Sequence, residues 1–301
     1  MYTPDELKRA AAAARQKIEE RVKVEQGGVA TYFDVFVCRF LDELTASESQ
    51  HGWNANPPAP PARRWNPFGA DRSTPNPKAI AKLRWLVAYL KDQEQGRLLQ
   101  YGTRRLPGRD RSDIRSPERM MSQGKAECLS WKGMPLFKSV FDFAIMPMLI
   151  WELKPATVFE IGSGTGASAC WMADVLAACG LDAWVHSADV NPIEKSHPRV
   201  RFAAGDCMSP ETLFGAELLR SAPHPYLVVE DAHKNVRDVL LYLDGFLMTG
   251  DYLFVEDSLE KSEALGAFLS ERPDRYMVDT RYTDFFGRNA TSAIDSILVR
   301  V

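Results

Sequence analysis

At 301 residues, with 45% hydrophobic and 26% charged residues, the chain has the size and composition of one large α/β domain plus an accessory segment. A net charge of −3 and a pI near 6.0 give no general drive toward nucleic acid or an anionic membrane surface. No apolar run approaches the roughly 20 residues that cross a bilayer, and the opening MYTPDELKRAAAAARQ lacks the apolar centre of a signal peptide.

These features predict a cytoplasmic protein whose partner is a small molecule, with neither nucleic acid nor membrane. The five cysteines are scattered and form no C-x-x-C pair, so neither a disulfide framework nor a zinc site is indicated.

Thr3-Pro4-Asp5-Glu6 carries a capping residue, a first-turn proline and a capping-box acid, and predicts a helix running to about Glu25 and ended by Gly27-Gly28. A second apolar helix is predicted over 31–45, with a face that could pack on another subunit in a homo-oligomer. Residues 53–78 hold too many prolines for helix or central strand and read as a long loop. Helical periodicity returns over 78–94. Residues 104–119, RRLPGRDRSDIRSPER, admit two readings: a solvated mobile loop, or a lid whose arginines clamp an anionic substrate. The whole of 1–124 is read as an N-terminal helical and lid segment, and 125–301 as the catalytic domain.

From Trp151 onward, apolar runs recur: TVFEI (157–161), AWVHSAD (183–189), VRFAAGD (200–206), YLVVED (226–231), DYLFVED (251–257), RYMVD (275–279) and IDSILVR (294–300). Continuous apolar strands separated by helical stretches predict a Rossmann-like, seven-stranded, mostly parallel sheet covered on both faces. The last two runs are joined by TRYTDFFGRNATSA, a loop, and predict an antiparallel C-terminal hairpin at the sheet edge.

Glu160-Ile161-Gly162-Ser163-Gly164-Thr165-Gly166-Ala167 closes the first of these strands and opens a helix. Its glycines permit a tight turn and close approach of backbone to a ligand. The same spacing satisfies the dinucleotide fingerprint, so glycines alone leave nicotinamide and other cofactors open. Glu160 favours a cofactor with a cationic amino group, because a strand-end carboxylate can accept its hydrogen bond. An acidic residue followed by G-x-G-x-G resembles the first motif of the class I S-adenosylmethionine-dependent methyltransferases. That resemblance implies that Gly162, Ser163, Gly164 and Gly166, with Ser168, line the amino-acid portion of S-adenosylmethionine. It places Asp189 and Val190 at the ribose, and Asp206 and Cys207 near the adenine.

The fourth and fifth strands each end in an acid pair, Glu230-Asp231 and Glu256-Asp257. Carboxyl ends of neighbouring strands share one rim, and ligands bind there. Clustered carboxylates repel one another unless a proton or cation offsets them, and an oxygen-rich set suits Mg²⁺ or Ca²⁺. The competing reading sends one acid to the cofactor and the others to solvent or arginine. Glu230 is left without a role, facing the sheet's edge.

HPYLVVEDAHKN followed by GDYLFVEDS, with WKGMPLFKSVFDFAIMPMLIWELKP (131–155) upstream, resembles the cephalosporin hydroxylase family over roughly residues 125–301. Despite its name, that family has the methyltransferase fold and is related to metal-dependent catechol-type O-methyltransferases. The resemblance implies Asp231, Glu256 and Asp257 as Mg²⁺ ligands, with Asp231 also beside the cofactor, and Lys234 or His233 as general base. It implies O-methylation of a hydroxyl on a specialised metabolite. Two other enzymatic outcomes stay open: intramolecular attack within S-adenosylmethionine that releases methylthioadenosine, and nicotinamide-dependent oxidoreduction. A non-catalytic binding protein on the same scaffold is a third alternative.

Overall fold

The structure is a computed structural model and describes residues 4–24, 30–31, 34, 37–38, 96–102 and 112–301. The chain divides into two compact units, Met1–Glu94 and Gln95–Val301. In the first, helix α1 spans Pro4–Val24, beginning at the predicted proline. Ala14 and Ile18, one turn apart on one face, are buried with Val37, and Val22 packs on them. Of the second predicted helix, Thr31, Asp34, Val37 and Cys38 are described, and the last three are helical. The proline-rich stretch, the helix predicted over 78–94, and residues 104–111 lie outside the described residues. No helix among the described residues is long and apolar enough to cross a membrane.

The second unit is built on an eight-stranded sheet. In chain order its strands are β1 (Leu98–Gln100), β4 (Thr157–Ile161), β5 (Trp184–Asp189), β6 (Val200–Ala204), β7 (Tyr226–Glu230), β8 (Tyr252–Val255), β9 (Tyr276–Asp279) and β10 (Ile297–Arg300). A separate two-stranded ribbon pairs β2 (Ser130–Trp131) with β3 (Met134–Pro135). The spatial order is β1-β9-β10-β8-β7-β4-β5-β6. The block from β8 to β6 is parallel, and β10 runs antiparallel to both β8 and β9.

All seven predicted strands form, and the C-terminal pair is antiparallel. Two details differ from the sequence reading. β10 lies inside the sheet, between β8 and β9, because its Ile297 and Leu298 are fully buried and a two-sided apolar strand belongs in the interior. The edge beyond β9 is taken by β1, whose three residues are too few to register as a periodic signal. Arg97 anchors that edge, donating from both Nε and Nη2 to the Asp279 carboxylate at 2.8 and 2.7 Å. Part of the linking loop also coils into a one-turn helix, Thr280–Thr283.

Side-chain parity divides the sheet into two cores. Val158, Leu227, Val229, Tyr252 and Phe254 face one layer, which includes the helix Val140–Leu153 (α3) and the helix Ala167–Ala178 (α4). Phe159, Ile161, Val228, Leu253 and Val255 face the other, which includes the helix Val236–Asp244 (α6) and the helix Ser262–Glu271 (α7). Between α4 and α6 lies the short helix Ala216–Ser221 (α5), and before α3 lies Ser116–Met121 (α2).

Helix α2 contains the last residues of the arginine-rich stretch, and the described residue Asp113 just before it is tied to Arg288. The Arg288 amide donates to the Asp113 carboxylate at 2.9 Å, and the Asp113 amide to Arg288 O at 2.9 Å.

The start of α3 is held from two directions. Ser139 caps it, its Oγ accepting from the Asp142 amide at 3.1 Å. The buried Asp142 carboxylate accepts from Thr291 Oγ1 and from the Ser292 amide, at 3.1 Å for the latter, which pins the segment leading into β10. Asp142→Ala strips those buried donors of their acceptor and should cost about 2–4 kcal/mol. Chemical denaturation checks this; a loss within error of zero would mean the clamp is not structural.

Candidate active site

The carboxyl ends of β4, β5, β6, β7 and β8 form one rim, stitched by backbone hydrogen bonds that continue past the strands. Gly162 N donates to Ala188 O at 2.8 Å, Asp231 N to Ile161 O at 2.8 Å, Gly205 N to Asp189 O at 2.9 Å, and Glu256 N to Glu230 O at 2.9 Å. Gly162 has φ +94°, and a Cβ there would lie 2.7 Å from the Asp231 carbonyl carbon, so only glycine lets the loop press against the end of β7. Gly164 also has positive φ, with nothing within 4 Å of a would-be Cβ: the loop opens onto free space there. Gly166 begins α4 in a left-handed conformation.

Glu160 is fully buried on the α3/α4 face. Ser187 Oγ, its in-register neighbour on β5, donates to Glu160 Oε2, and Ser163 Oγ lies 2.6 Å from Ser187 Oγ. Glu160 Oε1 has no hydrogen-bond partner among the described residues. Burial pushes the Glu160 carboxyl up to about 7, against the opposing pull of Lys138, Ser168 and Ser187.

Ser168 is buried in the first turn of α4. Asp189 turns one oxygen to the Gly164 amide, at 3.0 Å, and the other to the Asn191 amide, at 2.9 Å. Val190 beside it is exposed. Asp206 accepts from the Met208 amide at 2.9 Å. Cys207 is buried, its thiol pushed up to about 11 chiefly by burial, and its carbonyl accepts from Asn235 Nδ2 at 2.8 Å. The glycine loop, Asp189 and Asp231 thus share one wall, and the Asp206-Cys207 loop is hydrogen-bonded to it.

The acid pairs split by parity. Glu230 lies on the α6/α7 face and is 1% exposed. Lys261 Nζ donates to its Oε2 at 2.8 Å, and the Ala232 amide to its Oε1 at 3.0 Å. It does not face the sheet's edge: it is half of a buried ion pair. Asp231 and Glu256 lie on the opposite face with Glu160. Between them sits the ammonium of Lys138, 3% exposed, donating to Asp231 Oδ2 at 3.0 Å and Glu256 Oε1 at 2.5 Å.

Burial alone would raise the Asp231 carboxyl, but Lys138 and His233 outweigh it and hold it at about 2. Burial dominates at Glu256 and drives its carboxyl well above the ordinary value. Lys138 resists the lowering effect of burial because Asp231, Glu256 and Glu160 surround it, and it is held charged.

His233 Nε2 stands 3.4 Å from Asp231 Oδ1 and 3.5 Å from Asp257 Oδ2. The hydrogen bond to Asp231 raises its imidazole above the usual value. Ligand atoms of Asp231, His233 and Asp257 all lie within 4.8 Å of one another, which makes them the metal-capable group among the described residues. Of the expected metal set, Asp231 and Asp257 therefore come together, while Glu256 is turned to Lys138. Lys234 is exposed.

Sequence reasoning passed over Lys138, Lys261 and Ser187. A lone lysine inside the apolar run PLFKSVFDFA was the one available signal for Lys138; Lys261 and Ser187 carried none.

A family model described as Rhamnosyl O-methyltransferase/CmcI matches residues 123–275. The chain belongs to the rhamnosyl O-methyltransferase/CmcI family. Within this family, it is 28% identical to the rhamnosyl O-methyltransferase of Mycobacterium leprae, covering 57% of this chain and 82% of that one. It is 27% identical to the enzyme of the same name from Mycobacterium tuberculosis H37Rv, covering 57% and 78%. A CmcI structure with magnesium and S-adenosylmethionine aligns at TM-score 0.50 and 25% identity over 57% of this chain and 76% of that one. An apo structure of CmcI aligns at TM-score 0.50 and 28% identity over 58% and 77%. The protein is a class I S-adenosylmethionine-dependent methyltransferase, as its acid–glycine loop led us to expect.

Because Glu160 has a folded-state value of about 7, above its ordinary 4.5, the cost of ionising it in place is absent below pH 4.5 and grows as pH rises to about 7. Glu160→Gln removes that cost. Thermal scans should show the variant gaining on wild type between pH 5 and pH 8, by at most about 3 kcal/mol. A stability difference independent of pH would contradict the assignment.

Proposed function

We infer that this methyltransferase transfers the methyl group of S-adenosylmethionine to a hydroxyl of a small molecule, a specialised metabolite, with Mg²⁺ assistance. The observation that carries this reading is the shared wall at Gly162 and Asp231. There the backbone of the donor loop touches the strand end bearing the acidic cluster, close enough that a Cβ on Gly162 would sit 2.7 Å away. Methyl transfer is an in-line displacement, and holding donor and acceptor in register can contribute roughly 7–11 kcal/mol.

Residues of this chain fit both absent groups. Glu160 Oε1, buried and without a partner among the described residues, suits the cationic amino group of S-adenosylmethionine, and the space beside Gly164 suits its amino-acid portion. Asp189, Val190, Asp206 and Cys207 are assigned to the ribose and adenine side. Asp231, Asp257 and His233 offer two carboxylates and an imidazole within reach of one divalent ion. When bound, that ion orients the acceptor hydroxyl and lowers its pKa. His233 is directed at the two carboxylates, and exposed Lys234, three positions after Asp231, would take the hydroxyl proton as its uncharged amine, the form that a bound cation nearby favours.

The acceptor side has an apolar rim. Phe137, next to Lys138, and Phe285 and Phe286 are exposed, and Phe286 meets Phe141 edge-on with centroids 5.7 Å apart. The relatives named rhamnosyl O-methyltransferase and the CmcI structure with magnesium and S-adenosylmethionine support oxygen as the methylated atom and Mg²⁺ as the ion. In this reading residues 125–301 form the catalytic domain, with strand β1 (Leu98–Gln100) added to its sheet from the preceding segment.

Turnover should yield S-adenosylhomocysteine, and detection of methylthioadenosine in its place would overturn the reaction class. Asp231→Ala should lower kcat by about 100-fold or more while S-adenosylmethionine affinity stays largely unchanged. Chelator should abolish activity and Mg²⁺ restore it; full turnover in excess chelator defeats the metal role.

A further inference from the structure

Thr165 stands in the donor loop between Gly164 and Gly166, and its hydroxyl is bound to a part of the chain 30 positions away. Thr165 Oγ1 donates at 2.6 Å to the carbonyl of Pro135, the last residue of the β2–β3 ribbon. We propose that the ribbon is a strap that holds the donor loop in its cofactor-binding shape, and that Thr165 is the positioning residue through which it acts. The proposal rests on the assignment of S-adenosylmethionine to this loop and names what keeps the loop in form before the cofactor arrives.

The loop needs such a hold because of its composition. Gly162, Gly164 and Gly166 all have positive φ, at +94°, +52° and +78°. The two ends are fixed by packing: a Cβ on Gly162 would strike the end of β7, and one on Gly166 would lie 3.0 Å from the Ile193 side chain. Gly164, between them, has nothing within 4 Å of a would-be Cβ. Its amide donates to Asp189 Oδ2 at 3.0 Å, but Asp189 is a residue assigned to the ribose and has that duty to share. The bond from Thr165 to Pro135 carries no such second duty. Ordering glycine costs more backbone entropy than ordering any other residue. A tether that meets this cost on folding leaves less of it to be met on binding.

The ribbon is itself anchored independently of the loop. Trp131 Nε1 donates to Asp174 Oδ2 at 2.7 Å and Lys132 Nζ to Asp174 Oδ1 at 2.9 Å, which fastens β2 to α4 beyond the loop. Leu136, next to Pro135, is 1% exposed in the core, and its amide donates to Leu129 O at 2.7 Å. With two residues in each strand, the ribbon is too short to persist as a free hairpin. Its hydrogen bonds outward, to α4 and to the donor loop, give it a fixed place. The same piece of chain runs on to Lys138, whose ammonium reaches Asp231 at 3.0 Å, so the donor loop and the rim are referenced to one support.

Calorimetric titration of the full-length chain with S-adenosylhomocysteine tests the strap without recourse to turnover. Thr165→Val keeps the shape of the side chain and removes the hydroxyl. It should weaken binding by about tenfold. Its melting temperature should fall by no more than about 4 °C, because Pro135 is exposed and its carbonyl can turn to water. Thr165→Ser restores the hydroxyl and should bind within about twofold of wild type. Trp131→Phe loosens the strap at its far end and should weaken binding by about threefold. In the ligand-free protein, hydrogen exchange of the loop amides should quicken by about fivefold in Thr165→Val.

A Thr165→Val protein with wild-type affinity overturns the proposal, whatever its melting temperature, because the bond then serves the fold alone. Weakened binding by Thr165→Val with unchanged loop exchange in the free protein also overturns it, since the hydroxyl would then act on the ligand directly. A folded Trp131→Phe protein with unchanged affinity removes the ribbon from the argument; if that variant does not fold, the exchange measurement decides. Wild-type protein that binds no S-adenosylhomocysteine sinks the cofactor assignment of the loop itself, an outcome distinct from binding that Thr165→Val leaves untouched.

Discussion

An ammonium group buried to 3% exposure is tolerated only where carboxylates surround it, and in this protein those carboxylates sit at the end of the central strands. Lys138 sets the geometry of the site because it is held from both sides. Its contacts with Asp231 and Glu256 join the segment before α3 to the ends of β7 and β8. One residue further on, Ser139 and Asp142 bind the same segment to the approach to β10. The rim of the sheet, the start of a core helix and the closing strand are thus coupled through one short piece of chain.

Parity explains why glutamate and aspartate stand side by side at two neighbouring strand ends. Adjacent residues on a strand point to opposite faces. Glu230 and Asp231 are therefore sent to different layers, and because β7 and β8 are offset by one residue at their ends, Glu256 joins Asp231 and not Glu230. Each buried glutamate receives its own lysine, Lys261 on one face and Lys138 on the other. Asp231 and Asp257 are left at the rim with His233, where solvent reaches them. The two pairs are alike in sequence, but in each the glutamate is buried against a lysine, while the aspartate keeps at least one oxygen toward His233 at the rim.

Much of this was legible along the chain. Seven strands could be read because each carries a short cluster of apolar residues bounded by polar or turn residues, and local composition alone creates that signal. The acid–glycine loop was legible because its function needs special backbone conformations that only glycine supplies cheaply, as the +94° φ of Gly162 illustrates. Strand β1 was not legible, since three residues carry no period, and neither was the interior position of β10, which depends on which edge its neighbours leave open.

The sequence by itself determined the sheet, the donor loop and the presence of acids at the strand ends, because each is encoded in residues adjacent along the chain. Only the tertiary structure decided which of those acids are sealed against a lysine and which stay at the rim. Lys138 meets Asp231 and Glu256 across 93 and 118 positions of sequence, and Lys261 meets Glu230 across 31. Whether a carboxylate is a partner for lysine or a candidate ligand depends on which cation folding brings to it, and no local pattern records that distance.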